Sequence, residues 1–71
     1  MIIIRLDRVM ADRKISLRKL AMEMDISEVN LSRIKNGKIK SIRLDTLNKM
    51  CKILDCAPKD LLDFRWDDDD L

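Results

Sequence analysis

Histidine is absent from this sequence, and glycine and proline occur once each. Without histidine there is no Ser-His-Asp triad, no Cys-His nucleophile pair and no imidazole-based metal site. One glycine cannot build a phosphate-cradling loop or a dinucleotide-binding fingerprint, since both need several. Two cysteines are too few for a four-thiolate zinc site or for the disulfide framework of a small secreted domain. No apolar run approaches the roughly 18 residues that cross a bilayer. The opening Met1-Ile2-Ile3-Ile4-Arg5 is too short an apolar stretch for a secretory signal and carries no small-residue cleavage site. These absences argue against an enzyme, a cofactor, a metal site and a membrane partner, and they lead us to expect a reducing, cytoplasmic compartment.

What is present is a chain built to fold. Its 71 residues allow one domain, and a hydrophobic content of 46% is too high for a disordered segment. With only one Phe and one Trp, the core must come from Leu, Ile and Met, and Leu and Met favour helix. The shortage of turn residues disfavours an all-β sandwich. We therefore expect an all-α domain over residues 1–66. A core from about 70 residues supplies only roughly 3–5 kcal/mol, so a homodimer is expected to add to it.

Hydrophobic spacing divides the chain into five helices. Leu6, Val9 and Met10 mark the first, over about residues 5–13. Ser16 is placed to cap a second, which carries Leu17, Leu20, Ala21 and Met24 and is interrupted at Asp25-Ile26. Ser27 opens a third bearing Leu31 and Ile34, and Asn36-Gly37 ends it where a positive φ is wanted. After the basic loop Lys38 to Arg43 comes a fourth, with Leu44, Leu47, Met50, Cys51 and Leu54. Pro58 suits the first position of a fifth, running through Asp63. Ile2 to Ile4 are β-branched and Leu62 to Trp66 alternate apolar with charged, so both have strand character, and Phe64 to Trp66 are expected to pair with Ile2 to Ile4 as a small two-stranded sheet, within a chain or across a dimer.

The segment Leu17 to Asn36 holds the spacing most informative about function. Two short helices joined by a tight turn pack at roughly 90–120° only if the crossing residue is small, and Ala21 is. With Leu31 and Ile34 turned inward, the third helix shows solvent a face built from Ser27, Glu28, Val29, Asn30, Ser32 and Arg33. A face of hydrogen-bonding groups on a short helix is what base reading in a major groove requires. From Arg13 to Lys52 there are 11 basic and 4 acidic residues. That concentration fits a polyanionic partner, although the chain's formal net charge is only +2.

On these residues the sequence resembles the Cro/C1-type helix-turn-helix family, the lambda-repressor-like or XRE-like domains, and especially its short stand-alone bacterial and phage regulators. The resemblance runs over residues 5–63. It rests on Ile15-Ser16-Leu17-Arg18-Lys19-Leu20-Ala21, on Ile26-Ser27, and on Leu31-Ser32-Arg33-Ile34-Lys35-Asn36-Gly37-Lys38. Leu44-Asp45-Thr46-Leu47 and Leu54-Asp55-Cys56-Ala57-Pro58-Lys59-Asp60-Leu61-Leu62 complete it. It implies a five-helix domain with its helix-turn-helix at 17–36 and its third helix in the major groove of double-stranded DNA. Carried over by position, Glu28, Val29 and Arg33 face base edges with Ser32 nearby, while Ser16, Ser27, Asn36 and the loop Lys38 to Lys40 meet the backbone. The chemistry is compatible: Arg pairs with guanine O6 and N7, Glu accepts from cytosine N4, and Val can touch a thymine methyl. Lys35, Lys38, Lys40 and Arg43 suit phosphate.

Two positions depart from the family pattern. Leu17 stands where the family commonly has a phosphate-binding Gln, so Ser16 or Arg18 must take over that contact. Asp25 stands where the turn usually has Gly, and Asp tolerates the left-handed conformation. Glu28 repels phosphate and so favours selectivity over tight non-specific binding. The resemblance implies a repressor acting on a two-fold operator. The alternatives are an antitoxin that represses its own operon and a protein-interaction module that has lost DNA binding. Cys51 and Cys56 read as core and near-core thiols. Asp67 to Asp70 read as an acidic, disordered tail within residues 67–71.

Overall fold

The helices of this chain are 4 to 11 residues long, too short to persist on their own hydrogen bonds, so their ends and their packing decide whether they form. The computed structural model describes residues 1–66, and the expected acidic tail lies outside the described residues. The order is β1 (Ile2–Ile4), α1 (Leu6–Arg13), α2 (Leu17–Met24), α3 (Glu28–Lys35), α4 (Leu44–Leu54), α5 (Pro58–Leu61) and β2 (Leu62–Phe64). Five helices and a two-stranded sheet make up the described fold.

Serines start the second and third helices. Ser16 Oγ accepts the Lys19 N–H and Ser27 Oγ accepts the Asn30 N–H, each at 3.1 Å. Four helices then stop by one device. Lys14, Asp25, Gly37 and Asp55 adopt left-handed φ values of 54, 58, 70 and 50°. The residue after each turns its N–H back five positions: Ile15 to Met10, Ile26 to Ala21, Lys38 to Arg33 and Cys56 to Cys51, at 2.8 to 3.1 Å. Ile15, Ile26 and Cys56 then pack against the core, as this helix stop favours. Asp25 therefore performs the turn that the family usually gives to Gly.

The core is wholly apolar. Leu6, Leu20, Met24, Leu31, Met50, Leu54 and Leu61 are fully buried, and among the described residues no polar or charged one is. Ala21, 2% exposed, lets α2 approach its neighbours, and α2 packs on both α3 and α4. Arg13 straps the far side. Its Nε donates to the Leu54 carbonyl at 2.7 Å and a terminal nitrogen donates to the Asp55 carbonyl at 2.9 Å. A cation from the end of α1 thus satisfies open carbonyls at the negative end of α4.

Two boundaries differ from those expected from sequence. The fifth helix ends at Leu61 rather than Asp63, because Leu62 turns extended at φ −124° and ψ 141° to join the sheet. The sheet lies within one chain, and its register sits two residues earlier than Phe64 to Trp66. Ile2 faces Phe64, Ile3 faces Asp63 and Ile4 faces Leu62, antiparallel. Ile4 and Leu62 are both half-buried against the core, and that shared face sets the register. Cys51 and Cys56 are free, half-buried thiols. Burial first, and then neighbouring Cys51, push the Cys56 thiol above its ordinary value, so it stays neutral at pH 7 and behaves as a small apolar group.

Arg13→Ala should lower stability by about 1–2 kcal/mol, seen as an earlier urea midpoint with unchanged slope. Gly37 has open space around its Cβ position, so Gly37→Ala tests backbone conformation alone. It should cost about 1 kcal/mol, whereas Lys14→Gly, at a matching φ, should be neutral to mildly stabilising; thermal melts of the two variants check the opposed signs.

Candidate nucleic-acid interface

α3 is anchored by one fully buried residue, Leu31, and by half-buried Ile34. Its other side is left to solvent. Val29 is 70% exposed, which removes it from the core and leaves an apolar methyl pair on an otherwise polar surface. Glu28, Asn30 and Arg33 are also exposed. Val29 and Arg33 lie at i and i+4, so they share the outward stripe of the helix.

The structure brings the four expected reading residues together in one place. Glu28, Val29, Ser32, Arg33, Asn36 and Lys38 line a single shallow depression along α3. Arg33 also borders a second groove, between α3 and the loop 38–43, where Asn30, Lys40 and Arg43 supply the polar rim. Ile42 packs against the core and Ile39 is half-buried, so the loop is pinned by its apolar residues while Lys38, Lys40 and Arg43 stay exposed. Among the described residues Arg33, Lys38 and Lys40 form no ion pair. Arg43 approaches Asp45 at 3.8 Å, but both side chains are more than four-fifths exposed and the contact is screened by salt.

Some expected residues are constrained or lie elsewhere. Ser32 is half-buried, and its Oγ already accepts from the Asn36 side-chain amide at 3.3 Å. Its hydroxyl hydrogen remains able to donate. Ser16 and Ser27 are in the same position: each uses its oxygen as a helix cap and keeps a hydrogen for a further acceptor. Lys35 is half-buried and borders neither groove, and Ser16 and Arg18 sit at the start of α2, away from both. Leu17 packs against the core, so the departure from Gln serves packing. Glu28 occupies the first turn of α3, where a carboxylate is favoured by the helix dipole.

Asn30 belongs to the exposed polar face expected from sequence but has no individual role in that expectation. It lines the second groove with Ser41 and Thr46. Its spacing three residues before Arg33 was the available signal; for Ser41 and Thr46 no sequence signal was available, because the loop's path depends on Ile39 and Ile42.

Comparisons with known proteins bear on the family and the fold. The pattern of the Cro/C1-type HTH DNA-binding domain matches residues 5–67. Among solved structures, the chain is similar to a protein from Bacteroides fragilis that is provisionally described as DNA-binding. The two are 32% identical, with a TM-score of 0.81, and the match covers 89% of this chain and all of the other. No curated protein matches the chain.

Ser27 joins the turn to the exposed helix, so its cap can be tested apart from any ligand. Ser27→Ala should reduce stability by about 1 kcal/mol, and Ser27→Asp should retain most of it; denaturant titrations of both variants check this.

Proposed function

We propose that this chain, which belongs to the Cro/C1-type helix-turn-helix DNA-binding family, is a sequence-specific transcriptional regulator that acts as a repressor. The supporting observation is the single depression on α3 that joins an uncommitted guanidinium, Arg33, to exposed Val29 and Glu28. In this reading α3 enters the major groove. Arg33 pairs with a guanine, Glu28 accepts from a cytosine amino group, Val29 meets a thymine methyl, and Ser32 donates nearby.

The phosphate contacts come from the rim. Lys38, Lys40, Arg43 and Asn36 reach one strand from the loop side, while Ser16, Arg18 and Ser27 reach the other at the starts of α2 and α3. Lys35, half-buried, contributes charge more than contact. Residues 1–66 form the whole binding domain, with 17–36 as the motif, and two copies in the cytoplasm bind a two-fold operator with half-sites about 34–36 Å apart. Occupying such an operator blocks polymerase, and this makes the regulator a repressor.

A second reading has one observation in its favour. Leu17 is taken up by the core and Glu28 repels phosphate, which suits a protein-interaction module of the same fold. Titration with random duplex at about 50 mM salt separates the two, because a module without DNA binding shows no salt-dependent association.

Arg33→Ala should weaken binding to a selected operator by about 1–3 kcal/mol and relax one base position, while Lys38→Ala should weaken all duplexes alike and flatten the salt dependence by about one unit. Selection of bound sites from random duplex, repeated with each variant, checks both. An unchanged base preference in Arg33→Ala would remove α3's depression as the reading surface.

A further inference from the structure

β2 has a single neighbour, β1, and therefore one free edge among the described residues. In an antiparallel pair, successive residues turn their backbone groups alternately toward the neighbour and away from it. The Arg65 N–H donates to the Met1 carbonyl at 2.9 Å, the Met1 ammonium donates back to the Arg65 carbonyl, and the Arg5 N–H donates to the Leu61 carbonyl at 2.7 Å. Residues 61, 63 and 65 thus face β1, and Leu62, Phe64 and Trp66 present their backbone to the free edge. The Phe64 N–H meets only the carboxylate next to it, Asp63 Oδ1 at 2.8 Å. The side chains of the same three residues share one face of the ribbon. That face starts half-buried at Leu62 and then runs off the body, with Phe64 50% and Trp66 80% exposed and their rings edge-to-face at 4.9 Å. Ile2, opposite Phe64, is 63% exposed beside them.

We propose that β2 pairs antiparallel with β2 of a second copy of this chain, about a two-fold axis through Phe64, to give one continuous sheet across the dimer. The order Leu62-Asp63-Phe64-Arg65-Trp66 is self-complementary under that axis. Phe64 faces its own copy, each Asp63 faces the Arg65 of the second copy, and each Leu62 faces the Trp66 of the second copy. Moving the axis by one residue sets Asp63 against itself or Arg65 against itself, and like charges directly opposite are unfavourable. Backbone direction selects the same register, because the two Phe64 residues can exchange both N–H···O bonds once each Phe64 N–H leaves the Asp63 carboxylate beside it, which turns to the Arg65 of the second copy. The Leu62 N–H is already held by the Pro58 carbonyl, so there the Trp66 N–H of the second copy donates to the Leu62 carbonyl. An antiparallel two-fold keeps equivalent faces on one side, so each exposed Trp66 comes to lie beside the Leu62 at the margin of the other core. Asp63, already 3.5 Å from Arg5, gains a second guanidinium.

The inference rests on the two-fold dimer of the proposed function and names its interface, so it is tested without DNA. Sedimentation velocity would compare the intact chain with Asp63→Arg, Arg65→Asp, the double variant, and an equal mixture of the two single variants. Circular dichroism would report whether each keeps its helices. Each single variant should weaken self-association about 10-fold or more, the double variant should restore it, and the mixture should form a heterodimer although neither component dimerises alone. Trp66→Glu, altering a side chain exposed in the single chain, should stay folded and lose the dimer. The proposal is overturned if the intact chain is monomeric, if the folded single variants dimerise as the intact chain does, or if the double variant and the mixture fail to recover. A dimer with this register that ignores every duplex would remove the regulatory reading and leave the interface. Operator binding by variants with undiminished dimers would do the opposite.

Discussion

Everything in this domain depends on stopping short helices sharply and redirecting the chain, three times with only three residues before the next helix. Four times the backbone crosses into the left-handed region, and four times the next N–H closes back onto the departing helix. The core follows from those stops. Ile15 and Ile26 are delivered inward because the residue before each has turned, and α3 leaves α2 at its angle because Asp25 does. Among the described residues no polar side chain lies in the core, so apart from the Arg13 strap between α1 and α4 no side-chain hydrogen bond orients one helix against another. Orientation therefore comes from the turns and from the fit of Leu20, Ala21, Met24 and Leu31 against one another.

This division of labour explains how one face of α3 can be left to solvent. Leu31 and Ile34 hold the helix from beneath, and the Ser27 cap and the Gly37 stop hold its ends. No stabilising demand falls on Val29 or Arg33. The loop beside it follows the same logic, with Ile39 and Ile42 spent on anchoring and the cations between and around them left exposed. Charge is distributed accordingly: a chain that is nearly neutral overall concentrates its bases around the helix-turn-helix.

The helices were legible in the sequence because their signals are local. Apolar residues at i, i+3 and i+4, a serine before each of α2 and α3, and a proline opening α5 are readable within a few positions. The stops at Lys14 and Asp55 are legible as breaks in the apolar pattern, but their left-handed φ is not, because neither residue announces it and each is set by the packing of Ile15 or Cys56 that follows. The Arg13 strap was hidden for a related reason: its partners are carbonyls, which every residue has. The strand register was misplaced by two, since alternation alone cannot tell which apolar residue meets the core and which hangs beyond it. For the candidate interface, residues on α3 could be placed by spacing, Asn30 included, whereas the contribution of Ser41 and Thr46 depended on how the following loop returns.

The sheet ties Ile2–Ile4 to Leu62–Phe64, so the first strand made is among the last elements to find its place. During synthesis, α2 and α3 can meet as soon as both have emerged, their contacts being close in sequence. β1 must wait, three isoleucines in an extended stretch, until translation has passed residue 64. Over that interval the growing chain carries a β-prone apolar segment with an unpaired edge, the kind of surface that invites association with other chains. The described fold is thus completed by β2 closing onto β1, and until it does, the open edge of β1 is a place where another chain could pair instead.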